Sequence, residues 1–121
     1  MQLLESGEMY LETIQILTEK NKHVRSIDIA EYMDFSKPSV SRAIKNLKEA
    51  NYIKVSDEGL ITLTKSGKAV ANKIYERHKV LTDFLTGLGV SEENASKDAC
   101  KIEHDISDES FTAIKRHMKL I

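Results

Sequence analysis

The most informative stretch of this 121-residue chain runs from Ser36 to Leu63 and reads SKPSVSRAIKNLKEANYIKVSDEGLITL. Ser36 is a typical N-cap residue, and Pro38 falls in the first turn of the helix that follows, where its missing N–H costs no hydrogen bond. Apolar residues then recur at helical spacing and predict a buried stripe made of Val40, Ala43, Ile44, Leu47 and Ala50. The stretch therefore begins with an amphipathic helix.

Two short β-prone runs follow this helix. Residues 52–55 and 60–63 are rich in branched and aromatic side chains, and the segment Ser56-Asp57-Glu58-Gly59 between them is typical of a turn. This spacing predicts a β-hairpin.

The residues before Ser36 predict two further helices. Ser6 is expected to cap a helix with apolar residues at positions 10, 14 and 17, and Ser26 a short helix ending in a tight turn at 33–35. Helix, short helix, tight turn, helix and hairpin is the order of a winged helix-turn-helix. The alternative is an α+β domain in which the third helix only packs.

The remainder of the chain predicts helices alone. Thr64-Lys65-Ser66-Gly67 opens a long helix that ends near Leu85 or Thr86, before Gly87 and Gly89. Ser91 is expected to cap a helix over about residues 92–106, and Ser107 another that runs to the C-terminus. The helices after residue 67 are too many and too apolar to be an appendix, which indicates a dimerisation module. The predicted fold is mainly α with a small β-hairpin: a winged helix-turn-helix DNA-binding domain in residues 1–64 followed by a helical dimerisation domain in residues 65–121.

The overall composition sets limits on location and partners. Lys and Arg number 18 against 19 Asp and Glu, and the net charge of −1 taken alone argues against a nucleic-acid binder. No apolar run reaches the roughly 18 residues of a membrane span, and the first residues lack a signal-peptide pattern. A single Cys suits a reducing compartment. We therefore expect a cytoplasmic protein without membrane contact.

The charge is distributed unevenly along the chain. Residues 37–54 contain five positive residues and one negative, a balance of +4, whereas residues 81–121 contain five positive and eight negative, a balance of −3. Phosphate contacts need positive charge where the duplex lies, so the local balance matters more than the total. A lysine-rich face can also be merely solvated, but this one coincides with the predicted helix-turn-helix. We therefore predict binding of double-stranded DNA.

Individual DNA contacts follow from the exposed face of the helix after Ser36. Ser39, Arg42 and Asn46 are spaced i, i+3 and i+7 and point the same way. Arg42 suits a guanine edge and Asn46 an adenine edge, although Asn46 is equally consistent with a surface residue. Ser36 and Ser39 suit a phosphate or base at the helix N-terminus. The expected sequence-neutral phosphate contacts are Lys37, Lys45, Lys48 and Lys54.

The segment CKIEH at positions 100–104 carries three types of metal ligand. Cys100, Glu103 and His104 are spaced i, i+3 and i+4, which on a helix places them on one face. A thiolate, a carboxylate and an imidazole together suit a first-row divalent metal. Met9 and Glu12, one turn apart on the first helix, offer two more ligands, whereas His78 in the long helix has no local pattern. The alternative is that these residues are structural.

Five separated segments give the chain a resemblance to a known family. They read EMYLETI at 8–14, SKPSVS at 36–41, LTKSG at 63–67, RHK at 77–79 and CKIEHDISD at 100–108. In this order they resemble the iron- and manganese-dependent transcriptional repressors, the diphtheria toxin repressor family. The resemblance implies a homodimer that binds operator DNA when loaded with Fe²⁺ or Mn²⁺.

The resemblance also implies particular site residues. The primary metal site of the iron-type branch matches Met9, Cys100, Glu103 and His104. A second ion of the manganese-type branch matches Glu12, His78 and Glu103. The family's DNA-contacting positions match Ser36, Pro38, Ser39 and Arg42.

The chain departs from the family pattern at the iron-type ancillary site. An acid four residues after the long-helix His and a His shortly before the Cys are replaced by Thr82 and Ser96. The chain ends at Ile121, so the third, SH3-like domain of many iron-type members is not expected. We expect one metal site, with a second ion of the manganese kind as the alternative.

The predicted function is a metal-dependent repressor. A metal that joins the helix of Met9 to the module of Cys100, Glu103 and His104 would fix the angle between two recognition helices in a dimer. Thiolate and thioether ligands favour Fe²⁺ over Mn²⁺. One alternative is a winged-helix regulator controlled by an organic ligand or protein partner without metal. Another is a small metalloenzyme, but no nucleophile-and-base pattern supports it and no catalysis is expected.

Overall fold

A computed structural model describes residues 5–21 and 23–121 of the chain. In chain order its elements are α1 (Glu5–Asn21), α2 (Ser26–Met33), α3 (Lys37–Glu49), β1 (Ile53–Val55), β2 (Ile61–Leu63), α4 (Lys65–Gly87), α5 (Glu92–Ile102) and α6 (Asp108–His117). They form two compact units that divide between Asn72 and Lys73, inside α4. The predicted fold class, mainly α with a small β-hairpin, is confirmed.

The first unit contains the predicted helix-turn-helix. Asp34 ends α2 in the left-handed conformation, with φ 56° and ψ 43°, which a short polar side chain tolerates better than most. The chain then turns directly into α3, whose predicted buried stripe is confirmed: Val40, Ile44 and Leu47 are buried, and Ala43 and Ala50 are half-buried. The tight turn at 33–35 therefore sets α3 against its neighbours with the opposite face exposed.

The hairpin is antiparallel and pairs Ile53 with Leu63, Lys54 with Thr62 and Val55 with Ile61. Ile53 and Ile61 are buried, whereas Lys54 and Thr62 are exposed, as expected for a strand pair with one face on the core. The Ile61 N–H also donates to the Val24 carbonyl at 2.8 Å, which joins the hairpin to the segment before α2. The hairpin is thus fixed to the unit by side chains and by main chain.

The core of the first unit is centred on α1. Leu11 and Ile14 are fully buried there, together with Ile29 of α2 and Val40 of α3. Ala71 of α4 belongs to the same cluster. The first turns of α4 therefore fold with the first unit.

The second unit has a smaller core. Val80 and Leu81 of α4, Ala99 of α5 and Phe111 of α6 are buried together. Ser91 and Ser107 cap α5 and α6 as predicted, since their hydroxyls accept hydrogen bonds from the Asn94 and Ser110 N–H groups. Acidic residues occupy the first turns of both helices, as the helix dipole favours.

Two predicted caps are wrong. Ser6 lies inside α1, which already includes Glu5. Ser26 is the first residue of α2 and Arg25 is the N-cap, because the Asp28 side chain accepts a hydrogen bond from the Arg25 N–H at 2.9 Å. The acid three residues downstream therefore sets the start of α2 in place of the serine hydroxyl.

Two helices are shorter than predicted. α5 ends at Ile102, four residues before the predicted end, and α6 ends at His117, before the last four residues of the chain. None of the described helices has both the length and the apolar character that crossing a bilayer demands.

Candidate metal centre and nucleic-acid interface

The N-terminus of α3 presents small polar side chains. The Ser36 oxygen accepts a hydrogen bond from the Ser39 N–H at 3.3 Å, and its hydroxyl donates to the Ser39 Oγ at 2.9 Å. Pro38 lies in the first turn, as predicted. Because the first N–H groups of a helix have no intrahelical acceptors, such an end suits a phosphate oxygen.

One surface groove runs from this helix end along the exposed face of α3. Its lining includes Ser36, Ser39, Arg42 and Asn46 from the predicted DNA-contacting set, together with the aromatic ring of Phe35. The predicted phosphate contacts Lys37, Lys45 and Lys48 of α3 and Lys54 of β1 are exposed. The structure thus brings four predicted contacts to one groove and leaves four lysines accessible on α3 and β1.

Three predicted metal ligands meet in the second unit. His78 Nδ1 lies 3.0 Å from Glu103 Oε2, and His104 Nε2 lies 3.5 Å from Glu103 Oε1. The side chains of Glu103 and His104 are fully buried, whereas that of His78 is 29% exposed. The Glu103 carboxylate therefore has an imidazole beside each of its oxygens.

The Glu103 carboxylate is buried without a full set of protein donors. Among the residues that the structure describes, its Oε1 accepts no hydrogen bond, and the 3.5 Å to His104 Nε2 exceeds the usual N–H···O length. Leaving a buried acceptor in this state costs about 1–3 kcal/mol, and more when it is charged. Carboxylate oxygens and imidazole nitrogens are ligands that first-row divalent ions accept. The donor set therefore fits a divalent metal ion.

These ligands lie where a helix ends, and not along its face as predicted. Glu103 is the C-cap of α5, and residues 103–105 form a turn. The prediction that Cys100, Glu103 and His104 share one face of a helix continuing to residue 106 is therefore wrong. Cys100 remains on α5 and is exposed, while the side chains of the two residues beyond the helix end are buried. The new helix that begins at Asp108 requires the chain to turn here.

The remaining predicted ligands lie on α1, and the two residues that depart from the iron-type pattern lie near His78. Met9 and Glu12 lie one turn apart on α1, in the first unit, and both are half-buried. In the second unit, the Thr82 hydroxyl donates to the His78 carbonyl at 2.7 Å, and Ser96 Oγ lies 3.5 Å from His78 Nε2. Hydroxyls therefore stand near His78 where the iron-type pattern has an acid and a His.

Sequence reasoning gave no role to Arg77, the residue before His78. Its side chain is 7% exposed and donates to two backbone carbonyls of the segment that carries Glu103 and His104. A signal was available, because Arg77 follows Ile74 by three residues and precedes Leu81 by four, in the apolar stripe of α4. A charged residue in such a stripe must find partners when it is buried.

Two models of known protein families match nearly the whole chain. The N-terminal DNA binding domain of the iron dependent repressors matches residues 2–60, and their metal binding and dimerisation domain matches residues 64–120.

Two relatives agree with this match. An uncharacterized HTH-type transcriptional regulator of Methanocaldococcus jannaschii is 34% identical over 117 residues, which are 95% of this chain and 94% of that protein. The HTH-type transcriptional regulator MntR of Geobacillus kaustophilus is 35% identical over 102 residues, 84% of this chain and 72% of that protein.

Solved structures show the same architecture. A manganese-dependent transcriptional repressor in complex with manganese has a TM-score of 0.87 and 27% identity, covering 95% of this chain and 53% of that one. The manganese regulator SloR has a TM-score of 0.83 and 27% identity, covering 98% of this chain and 55% of that one. The chain thus spans about half the length of these two proteins. Together with the family models and the relatives, they show that it belongs to the iron-dependent repressor family of metal-dependent, DNA-binding transcriptional regulators.

Proposed function

We propose that this chain represses transcription by binding operator DNA as a homodimer when it is loaded with Mn²⁺ or Fe²⁺. The observation that carries the proposal is the buried Glu103 carboxylate with His78 on one oxygen and His104 near the other. Family membership supports the DNA-binding and dimeric parts of the proposal.

Glu103, His78 and His104 would hold the metal. A divalent cation supplies positive charge that neutralises the Glu103 carboxylate and gives its buried oxygen a partner. The additional ligands proposed on the strength of the resemblance are Met9, Glu12 and Cys100.

The exposed face of α3 would read the operator. Arg42 would donate a pair of hydrogen bonds to a guanine edge, and Asn46 would pair with an adenine. Ser36, Pro38 and Ser39 would contact the backbone or a base at the start of the helix. The remaining contacts, to phosphate, would come from Lys37, Lys45, Lys48 and Lys54, whose exposure and the local balance of +4 support this role.

The same proposal covers location and activity class. DNA binding and the single Cys favour the cytoplasm, where operator DNA and reduced thiols occur together. The site is proposed to be regulatory, with no substrate turned over.

The decisive experiment measures DNA affinity with and without metal. A duplex pool of random sequence, enriched in the presence of Mn²⁺, serves as the probe in fluorescence anisotropy under reducing, anaerobic conditions. We expect binding with Mn²⁺ or Fe²⁺ and its loss with a chelator. Glu103→Gln and His104→Ala should lose the metal-stimulated part of the DNA affinity. Asp98→Asn, which neutralises an exposed carboxylate on α5, should retain it. Binding that ignores metal would favour a regulator controlled by an organic ligand or partner protein.

Base readout by Arg42 is tested with the same enriched duplex and its single-base variants. If Arg42 reads guanine, Arg42→Ala removes about 1–3 kcal/mol of discrimination at one position. Lys45→Ala is the matched control, and it should weaken all sequences equally while lowering the salt dependence. A uniform loss for Arg42→Ala would reassign Arg42 to a phosphate.

A further inference from the structure

Arg77 of α4 carries a guanidinium that is almost fully enclosed in the second unit. The residue is 5% exposed, and its neighbours in the apolar stripe are Ile74 and Leu81. Burying a cation in such a stripe is costly unless hydrogen-bond acceptors surround it. The acceptors that the chain supplies therefore show what this Arg does.

The acceptors of the Arg77 hydrogen bonds lie within residues 103–108, from the C-cap of α5 to the first residue of α6. Arg77 Nη1 donates to the Glu103 carbonyl at 3.1 Å and to the Ile106 carbonyl at 2.8 Å. Nη2 donates to the carboxylate of Asp108, the first residue of α6. One side chain thus holds both ends of the 103–108 segment, which contains Glu103 and His104.

These contacts give hydrogen-bond donors to backbone carbonyls at and after the end of α5. The last carbonyls of a helix lack intrahelical donors, and the Glu103 carbonyl stands at the C-cap of α5. A planar guanidinium with five N–H donors can bind two carbonyls and a carboxylate at once, which a single ammonium does with less geometric control. Arg77 therefore fixes the backbone from which the Glu103 side chain reaches His78, the residue next to Arg77 on α4.

We propose that Arg77 is a positioning residue for the metal centre, which acts by holding the 103–108 segment so that Glu103 and His104 stay in place for the ion. This inference rests on the proposed metal-binding role of those two side chains. It assigns to Arg77 no ligand bond of its own.

The competing explanation is that Arg77 only fastens α4 to α6, and Lys115 offers a matched control for it. Lys115 of α6 lies over the Phe111 ring at 5.4 Å, as Arg77 does at 5.6 Å. Its ammonium also pairs with Glu76 of α4 at 2.8 Å. Lys115→Met therefore removes a cation from the same ring and an ion pair between α4 and α6. The hydrogen bonds from Arg77 to Glu103, Ile106 and Asp108 remain in this variant.

The test measures Mn²⁺ affinity by titration calorimetry, the visible spectrum of the Co²⁺-loaded protein and urea stability without metal. For Arg77→Lys we expect Mn²⁺ binding weakened about tenfold, in the range known for residues that orient ligands, and altered Co²⁺ bands. Lys115→Met should lower stability while leaving Mn²⁺ affinity within about twofold and the Co²⁺ bands unchanged.

The proposal is overturned if Arg77→Lys loses stability yet keeps the Mn²⁺ affinity and the Co²⁺ spectrum of the parent protein. Should Arg77→Lys fail to fold, Asp108→Asn is the second variant, because it weakens the contact between the Arg77 guanidinium and residue 108. An unchanged Co²⁺ spectrum in Asp108→Asn would also contradict the proposal. Glu103→Gln tests the proposed metal site independently of Arg77. Unchanged Mn²⁺ affinity in that variant would show that the proposed metal site is wrong, whatever Arg77 does.

Discussion

At the scale of single residues, Gly67 fixes the junction between the hairpin and α4. A Cβ on Gly67 would lie 2.1 Å from the Tyr52 carbonyl oxygen, and that oxygen is already bound by the Thr64 N–H at 3.0 Å. We expect Gly67→Ala to destabilise the protein by about 1–3 kcal/mol, because main chain must move to admit the methyl group. Urea denaturation followed by circular dichroism measures the loss.

The same substitution at the other end of α4 is the control for Gly67. A Cβ on Gly87 meets nothing within 4 Å, so Gly87→Ala should be neutral or stabilising by up to about 1 kcal/mol through helix propensity. Equal effects of the two substitutions would show that the close approach at Gly67 is not a constraint.

Asp108 links the stability of the second unit to pH. Hydrogen bonding and charge from Lys73, followed by the Arg77 guanidinium, hold the pKa of the Asp108 carboxyl below its usual range. A lowered folded-state pKa means that the stabilisation is present above the ordinary carboxyl pKa and is lost as pH falls through the folded-state pKa. Asp108→Asn should therefore flatten the fall in urea stability on acidification, and Asp57→Asn in the exposed hairpin turn should not. Parallel curves for the parent protein and Asp108→Asn would contradict this.

At the scale of elements, local capping signals predicted some boundaries and missed others. Ser36, Ser91 and Ser107 act as caps because a serine hydroxyl needs only its own next turn to do so. Ser26 is not a cap, because the Asp28 carboxylate three residues after Arg25 accepts from the Arg25 N–H and makes Arg25 the N-cap. The predicted end of α5 was wrong for a different reason. The turn after Ile102 depends on contacts with residues that are distant in the sequence.

The candidate site was predictable in its chemistry more than in its geometry. The residue types at 103 and 104, and the family resemblance, indicate a metal centre without any coordinates. Local spacing could not link His78 to Glu103, because the two residues are 25 positions apart in the chain. Their 3.0 Å approach arises only when α4 packs beside the segment that carries Glu103. For Arg77, the apolar stripe of α4 indicated burial but not the partners, because these lie in the segment between α5 and α6.

The N-terminus of α3 allows its structural and DNA-binding roles to be separated. Ser36→Ala removes the cap on the Ser39 N–H and should cost about 1 kcal/mol of unfolding free energy. Ser36→Asp keeps a capping oxygen and favours the positive end of the helix dipole, so stability should stay near that of the parent protein. Its negative charge would face phosphate, and we expect DNA affinity to fall by about tenfold or more.

Urea denaturation and anisotropy on the same preparations check both effects of the Ser36 variants. Ser41→Ala, an exposed serine inside α3, is the control for stability and should be neutral or slightly stabilising. If Ser36→Asp binds DNA as well as the parent protein does, the start of α3 does not approach the duplex backbone.

At the scale of the whole molecule, metal control of DNA binding has to be reciprocal. If Mn²⁺ raises operator affinity by some factor, bound operator must raise Mn²⁺ affinity by the same factor, and couplings of this kind are about 5–150-fold. The factors are measured by anisotropy with and without Mn²⁺ and by Mn²⁺ titration with and without the enriched duplex. Both are taken at protein concentrations at which the chain is fully dimeric, so that assembly does not enter the cycle.

Glu103→Gln tests whether this coupling originates at the proposed site. Because Glu103 is buried between two imidazoles, its neutral amide should weaken Mn²⁺ binding and shrink both coupling factors together. An exposed change such as Asp98→Asn should leave both factors as they are. If Glu103→Gln weakens Mn²⁺ binding but leaves both coupling factors unchanged at saturating metal, then Glu103 contributes to Mn²⁺ affinity and not to the coupling. The distinction between the DNA-competent state and the other state would then have to reside in other ligands, since an ion shifts a conformational equilibrium only through its differential affinity for the two states.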